Sequence, residues 1–340
     1  MMIERAPAGP AGPASPPTMA DVAAAAARLA GVAVETPLIR SEVLDARVGG
    51  RVFLKPECLQ RTGSFKFRGA YNRVSMIPEH EREGGVVACS SGNHAQGVAA
   101  AAHLYGMPSA IVMPRDAPSM KVARTRALGA DVVSYDRETE DREAIARTLA
   151  AARHATFVHP YDDAGVIAGQ GTVGLEIVAA CRRLGVRPDA VLAPASGGGL
   201  IAGVSIAVRD GFPDAEVFSV EPAGFDDHAR SLSAGERLGN ERLSGSLCDA
   251  LMSNRPGEQT FAINRHTLAG GFAVTDAEAL AAVAFAAREL KLVLEPGGAV
   301  ALAALLSGAF DVVGRTVVVV LSGGNVDEAV LARALAESAA

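Results

Sequence analysis

Tryptophan is absent from this 340-residue chain and aromatic residues make up only 4 % of it, so the interior cannot be built on large rings and must be packed from Ala, Val and Leu. Cysteine is scarce too. Cys58, Cys89, Cys181 and Cys248 stand far apart with no CxxC pair, which excludes a zinc ribbon or a disulfide framework and suits a reducing, cytoplasmic compartment. There is no basic run, and a net charge of −6 leaves no footprint for nucleic acid or an anionic membrane. Uninterrupted apolar stretches fall short of the roughly 18 residues needed to span a bilayer; Glu and Lys break even the Ala-rich segment 277–306. Residues 1–17, mostly Ala, Pro and Gly without the apolar segment of a secretory signal, read as a disordered tail.

What the chain does have is 36 glycines and 49 % hydrophobic residues over a length that suits two domains. Thr18 with Asp21 and Thr275 with Glu278 each predict a capping box at a helix start, the second helix reaching about Leu290. From residue 85 short apolar strands alternate with helices: 86–89, 110–113, 131–135, 156–159, then 190–194, 216–220 and 316–321. This alternation predicts βαβ units and parallel sheets covered on both faces. A compact βαβ domain is expected over 85–163, with 18–84 and 164–340 forming a larger domain around it.

Four stretches carry chemistry. ASGGGLIAG (195–203) runs from a buried strand through three glycines into a helix, so backbone N–H groups and a positive helix end converge where a phosphate could sit. It lacks GK[ST], which excludes a nucleoside-triphosphate loop, and it lacks the G-x-G-x-x-G spacing of a dinucleotide site. A tight strand-to-helix turn with no ligand is the alternative. VVACSSGNHAQG (86–97) puts Ser90, Ser91, Gly92, Asn93 and His94 on another such turn, with donors suited to a carboxylate or simply to a helix cap. VVVVLSGGN (317–325) ends a third buried strand with Ser322 and a glycine pair. RTGSFKFRGAYN (61–72) places Lys66 between two phenylalanines at a helix start, where a solvated lysine is the bland alternative.

Together these stretches resemble the pyridoxal-phosphate enzymes of the tryptophan synthase β-like fold (fold type II): α/β, two parallel-sheet domains, cofactor in the cleft between them. GSFKFRGA, SSGNHAQG, AGQGT, SGGGL, LEPGGAV and LSGGN occur in the order seen in the serine/threonine dehydratase and serine racemase family, over about residues 20–335.

The resemblance implies that Lys66 holds pyridoxal 5'-phosphate as a Schiff base and removes the Cα proton, that Phe65 packs by the ring, and that Asn93 donates to the ring hydroxyl. It implies a phosphate held by the N–H groups of Ser196, Gly197, Gly198, Gly199 and Leu200, Ser196 standing where the family commonly has a fourth glycine. Ser322 would face the pyridine nitrogen, and a neutral hydroxyl there gives a shallower electron sink that favours β-elimination. The substrate carboxylate would dock on Ser90, Ser91, Gly92, Asn93 and His94, with Ser91 also placed to protonate Cα from the face opposite Lys66. Glu295 and Tyr161 are further candidates near cofactor and substrate. Glu221, the Phe225 carbonyl and Asp227 match the divalent-cation site of racemase-like members, implying Mg²⁺ or Ca²⁺; a solvated acidic loop is the alternative.

The activity implied is ammonia-lyase elimination of L-threonine and L-serine to 2-oxobutanoate or pyruvate, acting on a small hydroxy-amino acid as a homodimer. Because LSGGN is followed only by residues up to 340, a catabolic enzyme without isoleucine feedback is expected. Alternatives are an amino-acid racemase, a 3-hydroxyaspartate dehydratase and, from another class, a non-catalytic ligand-binding module. A nicotinamide-dependent oxidoreductase lacks its fingerprint here.

Overall fold

The computed structural model describes residues 15–90, 92–117 and 119–337. Its strands in chain order are β1 (Ile39–Arg40), β2 (Arg51–Pro56), β3 (Val86–Cys89), β4 (Ser109–Pro114), β5 (Asp131–Tyr135), β6 (Thr156–Phe157), β7 (Ala190–Pro194), β8 (Glu216–Pro222), β9 (Gly270–Val274) and β10 (Thr316–Leu321). They form a six-stranded sheet in the order β1-β2-β10-β7-β8-β9 and a four-stranded sheet in the order β5-β4-β3-β6. Every pairing is parallel except that of β1 with β2.

The apolar runs account for the order. All six residues of β10, TVVVVL, are buried, as a strand covered by helices on both faces must be, and β10 lies between β2 and β7. β6 is shorter than the segment 156–159, although the Val158 N–H continues the ladder to the Val87 carbonyl at 2.8 Å. β9 has no counterpart in the expected strands. Its GGFAV sequence lacks an apolar alternation, and it is held at the sheet edge by pairing with β8.

Helix starts follow local chemistry. Thr275 and Glu278 bond reciprocally, Glu278 N–H to the Thr275 hydroxyl at 3.2 Å and Thr275 N–H to Glu278 Oε2 at 2.7 Å. The helix they open is α-helical over Asp276–Phe285 and then widens to a π-helical turn, Ala286–Leu290. The Pro-Gly-Gly after Glu295 is not a turn but the start of a buried helix, Pro296–Leu306, with proline at the one position where a missing N–H costs nothing.

The helix Ala164–Arg183 is long and apolar enough to cross a membrane, yet 78 % of its most apolar window is buried inside the protein. It is a core helix, packed on the helices Met19–Leu29, Lys66–Ser75 and Gly199–Gly211. The contact with the last of these needs glycine, since a Cβ at Gly203 would lie 2.4 Å from the Gly171 nitrogen.

A buried ionic cluster fixes the helix Lys66–Ser75 to this core. The Arg68 guanidinium donates to Glu57 at 2.7 Å and to Glu176 at 2.5 Å, and the Lys55 ammonium donates to Glu176 at 2.5 Å and to the Thr36 carbonyl at 2.6 Å. Lys55, Glu57 and Arg68 are all buried, so each charge depends on the others for the solvation it lost.

Candidate active site

The segments that follow β2, β3, β6, β7 and β8 line one cleft, where parallel sheets present the carboxyl ends of their strands. The stretches around Lys66 and Ser322 are stitched directly together. Ser64 bridges Gly323, the Phe65 N–H donates to the Ser322 carbonyl at 3.1 Å, and the Gly324 N–H donates to the Gly63 carbonyl at 2.9 Å. Asn325 extends the seam, its amide donating to the Thr62 carbonyl and to Asn93 Oδ1, both at 2.7 Å.

Lys66 is the first residue of its helix and lines the cleft. Its ammonium donates to the Pro160 carbonyl at 2.7 Å and lies 5.3 Å from the centre of the Phe65 ring. Burial, then the nearby Arg142 cation, pulls its pKa down to about 8. A lysine so placed exists partly as the free amine near neutral pH, as a carbonyl-capturing nucleophile requires.

After β7, none of the backbone N–H groups of residues 196–200 meets an acceptor among the described residues. Gly198 takes φ +95°, and a Cβ there would meet the His228 ring at 2.5 Å, so the loop closes only with glycine. The N–H groups converging at the start of the helix Gly199–Gly211 could hold a phosphate. Ser196 spends its hydroxyl elsewhere, donating to the Ser253 hydroxyl at 2.9 Å and accepting from the Ser253 N–H at 3.1 Å.

Ser90, Gly92, Asn93 and His94 line the same cleft; Ser91 lies outside the described residues. Ser90 Oγ accepts from the Gly92 N–H at 3.1 Å, and the N–H groups of Asn93, His94 and Ala95, in the first turn of the helix Asn93–Leu104, have no acceptor among the described residues. That end could take a carboxylate. The His94 ring is buried and neutral, its pKa pressed down to about 3 first by burial and then by Lys66.

Asn93 also reaches backward, donating to Glu295 Oε1 at 2.5 Å, so Glu295 stands behind the cleft wall. Burial raises the Glu295 pKa to about 7 against the pull of Lys121, and its second oxygen has no hydrogen-bond partner among the described residues. Ser322 likewise does not line the cleft and is buried beside Phe65. Tyr161 does line it, its ring lying over Gly197 and edge-on to His159 at 4.6 Å.

Glu221 and Asp227 come together behind the glycine loop 196–200, where side-chain atoms of Glu221, Asp227 and His228 that could bind a metal lie within 4.8 Å of one another. Both Glu221 oxygens accept helix N–H groups, from His228 at 3.0 Å and Ala229 at 2.9 Å, while Asp227 Oδ2 has no hydrogen-bond partner among the described residues. Phe225 is buried in the turn between them. His228 is a strut, with Nδ1 against the Ser196 carbonyl and Nε2 against the Asn264 amide, each at 2.9 Å.

Four side chains that the motifs did not single out also belong here: Lys121, Arg142 and Asp249 on the cleft wall, and Asn325 on the seam. Asn325 closes the LSGGN stretch and was the one within reach of a motif. Arg142 opens the helix Arg142–Arg153 in a charged stretch, EDREA, that looks like any solvated helix start.

Known proteins are similar to this chain over most of its length. The chain is 45 % identical over 300 residues to an L-threo-3-hydroxyaspartate ammonia-lyase of Pseudomonas sp, covering 88 % of this chain and 92 % of that protein. It is 40 % identical over 302 residues to the catabolic L-threonine dehydratase of Escherichia coli K12, covering 88 % and 90 %. The crystal structure of the threonine deaminase of T.th. superposes with a TM-score of 0.86 at 43 % identity, over 92 % of this chain and 99 % of that one. Residues 29–323 match the family model described as pyridoxal-phosphate dependent enzyme, and with its α/β fold and a lysine and a glycine loop lining one cleft this chain belongs to that family, among its ammonia-lyases.

Proposed function

We propose that this lyase acts on a β-hydroxy α-amino diacid, L-threo-3-hydroxyaspartate, converting it to the corresponding four-carbon 2-oxo diacid and ammonia. The observation that carries the reading is Arg142. Among the described residues the cleft wall holds four cationic side chains, Lys66, Lys121, Arg137 and Arg142, against one carboxylate, Asp249. Lys121 pairs with Asp249, Arg137 with Asp116, and Lys66 bonds to Pro160; among the described residues the Arg142 side chain has neither a hydrogen bond nor an ion pair. A partly buried guanidinium that has only the through-space pull of Glu143, with no bonded anion among the described residues, suits a substrate that brings a second carboxylate. The activity for which the Pseudomonas relative is named supports the same substrate.

The residues present fit pyridoxal phosphate: free N–H groups at 196–200 for the phosphate, an amine of lowered pKa for the carbonyl, and about 980 Å³ of free space, mouth included. When bound, the cofactor supplies an electron sink that acidifies the substrate Cα–H bond. In this reading Lys66 would hold the cofactor and receive the Cα proton, Phe65 and Asn93 would flank its ring, and Ser322, buried behind Phe65, would serve its nitrogen. The first turn of the helix Asn93–Leu104 orients the α-carboxylate. Arg142 receives the distal carboxylate, and loss of the β-hydroxyl as water leaves an enamine whose tautomer hydrolyses to the 2-oxo acid and ammonia.

L-Threonine and L-serine are the second reading, favoured by the identities to the dehydratase and the deaminase. Release of 2-oxo acid from the three substrates decides between them. Hydroxyaspartate should have the highest kcat/KM, and Arg142→Met should cut its advantage over serine by about tenfold or more, the cost of leaving a substrate carboxylate without its partner. A wild-type preference for threonine, or an unchanged ratio in the variant, would overturn the diacid reading.

The proposal includes a divalent cation on Glu221, Asp227 and the Phe225 carbonyl, for which two buried carboxylates and an unpartnered oxygen speak. Mg²⁺ or Ca²⁺ should raise Tm in the wild type and not in Asp227→Asn.

A further inference from the structure

Lys121 and Asp249 join opposite walls of the cleft. Lys121 lies in the helix Ser119–Ala127, which packs beside the four-stranded sheet, and its ammonium donates to Asp249 Oδ2 at 2.5 Å. Asp249 heads a segment, 249–253, whose every residue lines the cleft and whose far end is tied to the phosphate loop through Ser253 and Ser196. Among the described residues the Asp249 carboxylate bonds only to Lys121.

The two partners differ in exposure. The Lys121 side chain is 7 % exposed and that of Asp249 is 36 % exposed. The ammonium cannot turn to water and must keep an anion, whereas the carboxylate can swing out into solvent at little cost. Lys121 also lies where a substrate would arrive. A Cβ at Gly92 would be 3.7 Å from its Nζ, so the ammonium overhangs the turn whose following N–H groups, those of Asn93, His94 and Ala95, have no acceptor among the described residues.

We propose that Lys121 is a receptor for the substrate α-carboxylate and that Asp249 is a built-in stand-in for it, displaced when an amino acid docks. The exchange conserves charge at Lys121 and frees the 249–253 segment at its Asp249 end, so occupancy of the carboxylate turn unfastens one wall of the cleft from the other. The inference rests on the amino-acid reading of the site but not on the choice of hydroxyaspartate.

The test uses the holoenzyme with two probes that differ by one carboxylate, L-alanine and ethylamine, titrated by cofactor absorbance and by thermal shift. Asp249→Asn, which removes the competitor, should tighten L-alanine about fivefold, and Lys121→Gln should weaken it by at least as much, the size of one partly screened charge contact. Ethylamine affinity should be the same in all three proteins. If both substitutions weaken L-alanine alike, or neither moves it, the pair is a fixed structural tie and the proposal falls while the amino-acid reading stands. If L-alanine does not bind the wild-type holoenzyme, both fall together.

Discussion

The Lys66 ammonium donates to the Pro160 carbonyl over 2.7 Å, so the amine rests against the segment that leaves the four-stranded sheet. A carbonyl holds it without supplying a negative charge, and this leaves burial and Arg142 free to pull the pKa to about 8. Below that value the free-amine fraction rises tenfold per pH unit, and above it the fraction saturates. Loading of cofactor-free protein with pyridoxal phosphate should therefore accelerate from pH 6 to 8 and level off beyond. Arg142→Met should move the midpoint upward. A rate still climbing at pH 10 would show that Lys66 titrates as an ordinary lysine.

Glu295 predicts a pH dependence of stability. Its carboxyl is buried and its pKa raised from 4.5 to about 7, so between those values the folded cofactor-free protein keeps a proton that the unfolded chain has released. The stabilisation is complete below pH 4.5 and is lost as pH climbs through 7, by roughly 3 kcal/mol at most. Glu295→Gln keeps the acceptor for Asn93 and cannot ionise. Its Tm should match the wild type near pH 5 and exceed it at pH 8. Parallel Tm profiles would refute the assignment.

Arg68→Met should cost about 3–5 kcal/mol, measured by denaturant unfolding, because it leaves Glu57 charged, buried and facing only Lys55 and Thr36. Adding Glu57→Leu to that variant removes the stranded charge and should recover part of the loss. Without such recovery, the cluster's contribution would lie in packing.

Gly198→Ala should weaken phosphate binding, since the position combines φ +95° with a 2.5 Å approach to the His228 ring. The apparent Kd for pyridoxal phosphate should rise about tenfold or more, with turnover restored at saturating cofactor. An unchanged Kd would mean that the loop tolerates a shift.

The sequence announced some of these features and concealed others for definite reasons. β7 and β10 are almost continuous apolar runs, and each is followed within one or two small residues by glycines, so strand and turn could be placed from local pattern alone. Lys66 was conspicuous because it follows Thr-Gly-Ser and is flanked by aromatics. Arg142, Lys121 and Asp249 carry no such mark: each sits in an ordinary charged stretch, and only the approach of the two sheets makes them neighbours of Lys66. The opening of the helix Pro296–Leu306 was hidden by composition, because Pro-Gly-Gly spells a turn until Glu295 and Gly323 are seen to hold its first residues. The strand GGFAV was missed because its place depends on β8 beside it.

The seam at Ser64 and Gly323 carries a consequence for biosynthesis. The stretch that carries Lys66 leaves the ribosome before its partners: the strand beside β2 in the sheet, β10, and the carbonyl that receives the Phe65 N–H are made more than 250 residues later. No nascent chain shorter than about residue 325 can assemble this cleft. Throughout synthesis the parallel edge of β2 and the face of Lys66 wait uncovered, which makes the unfinished protein a natural client for chaperones that mask bare strand edges.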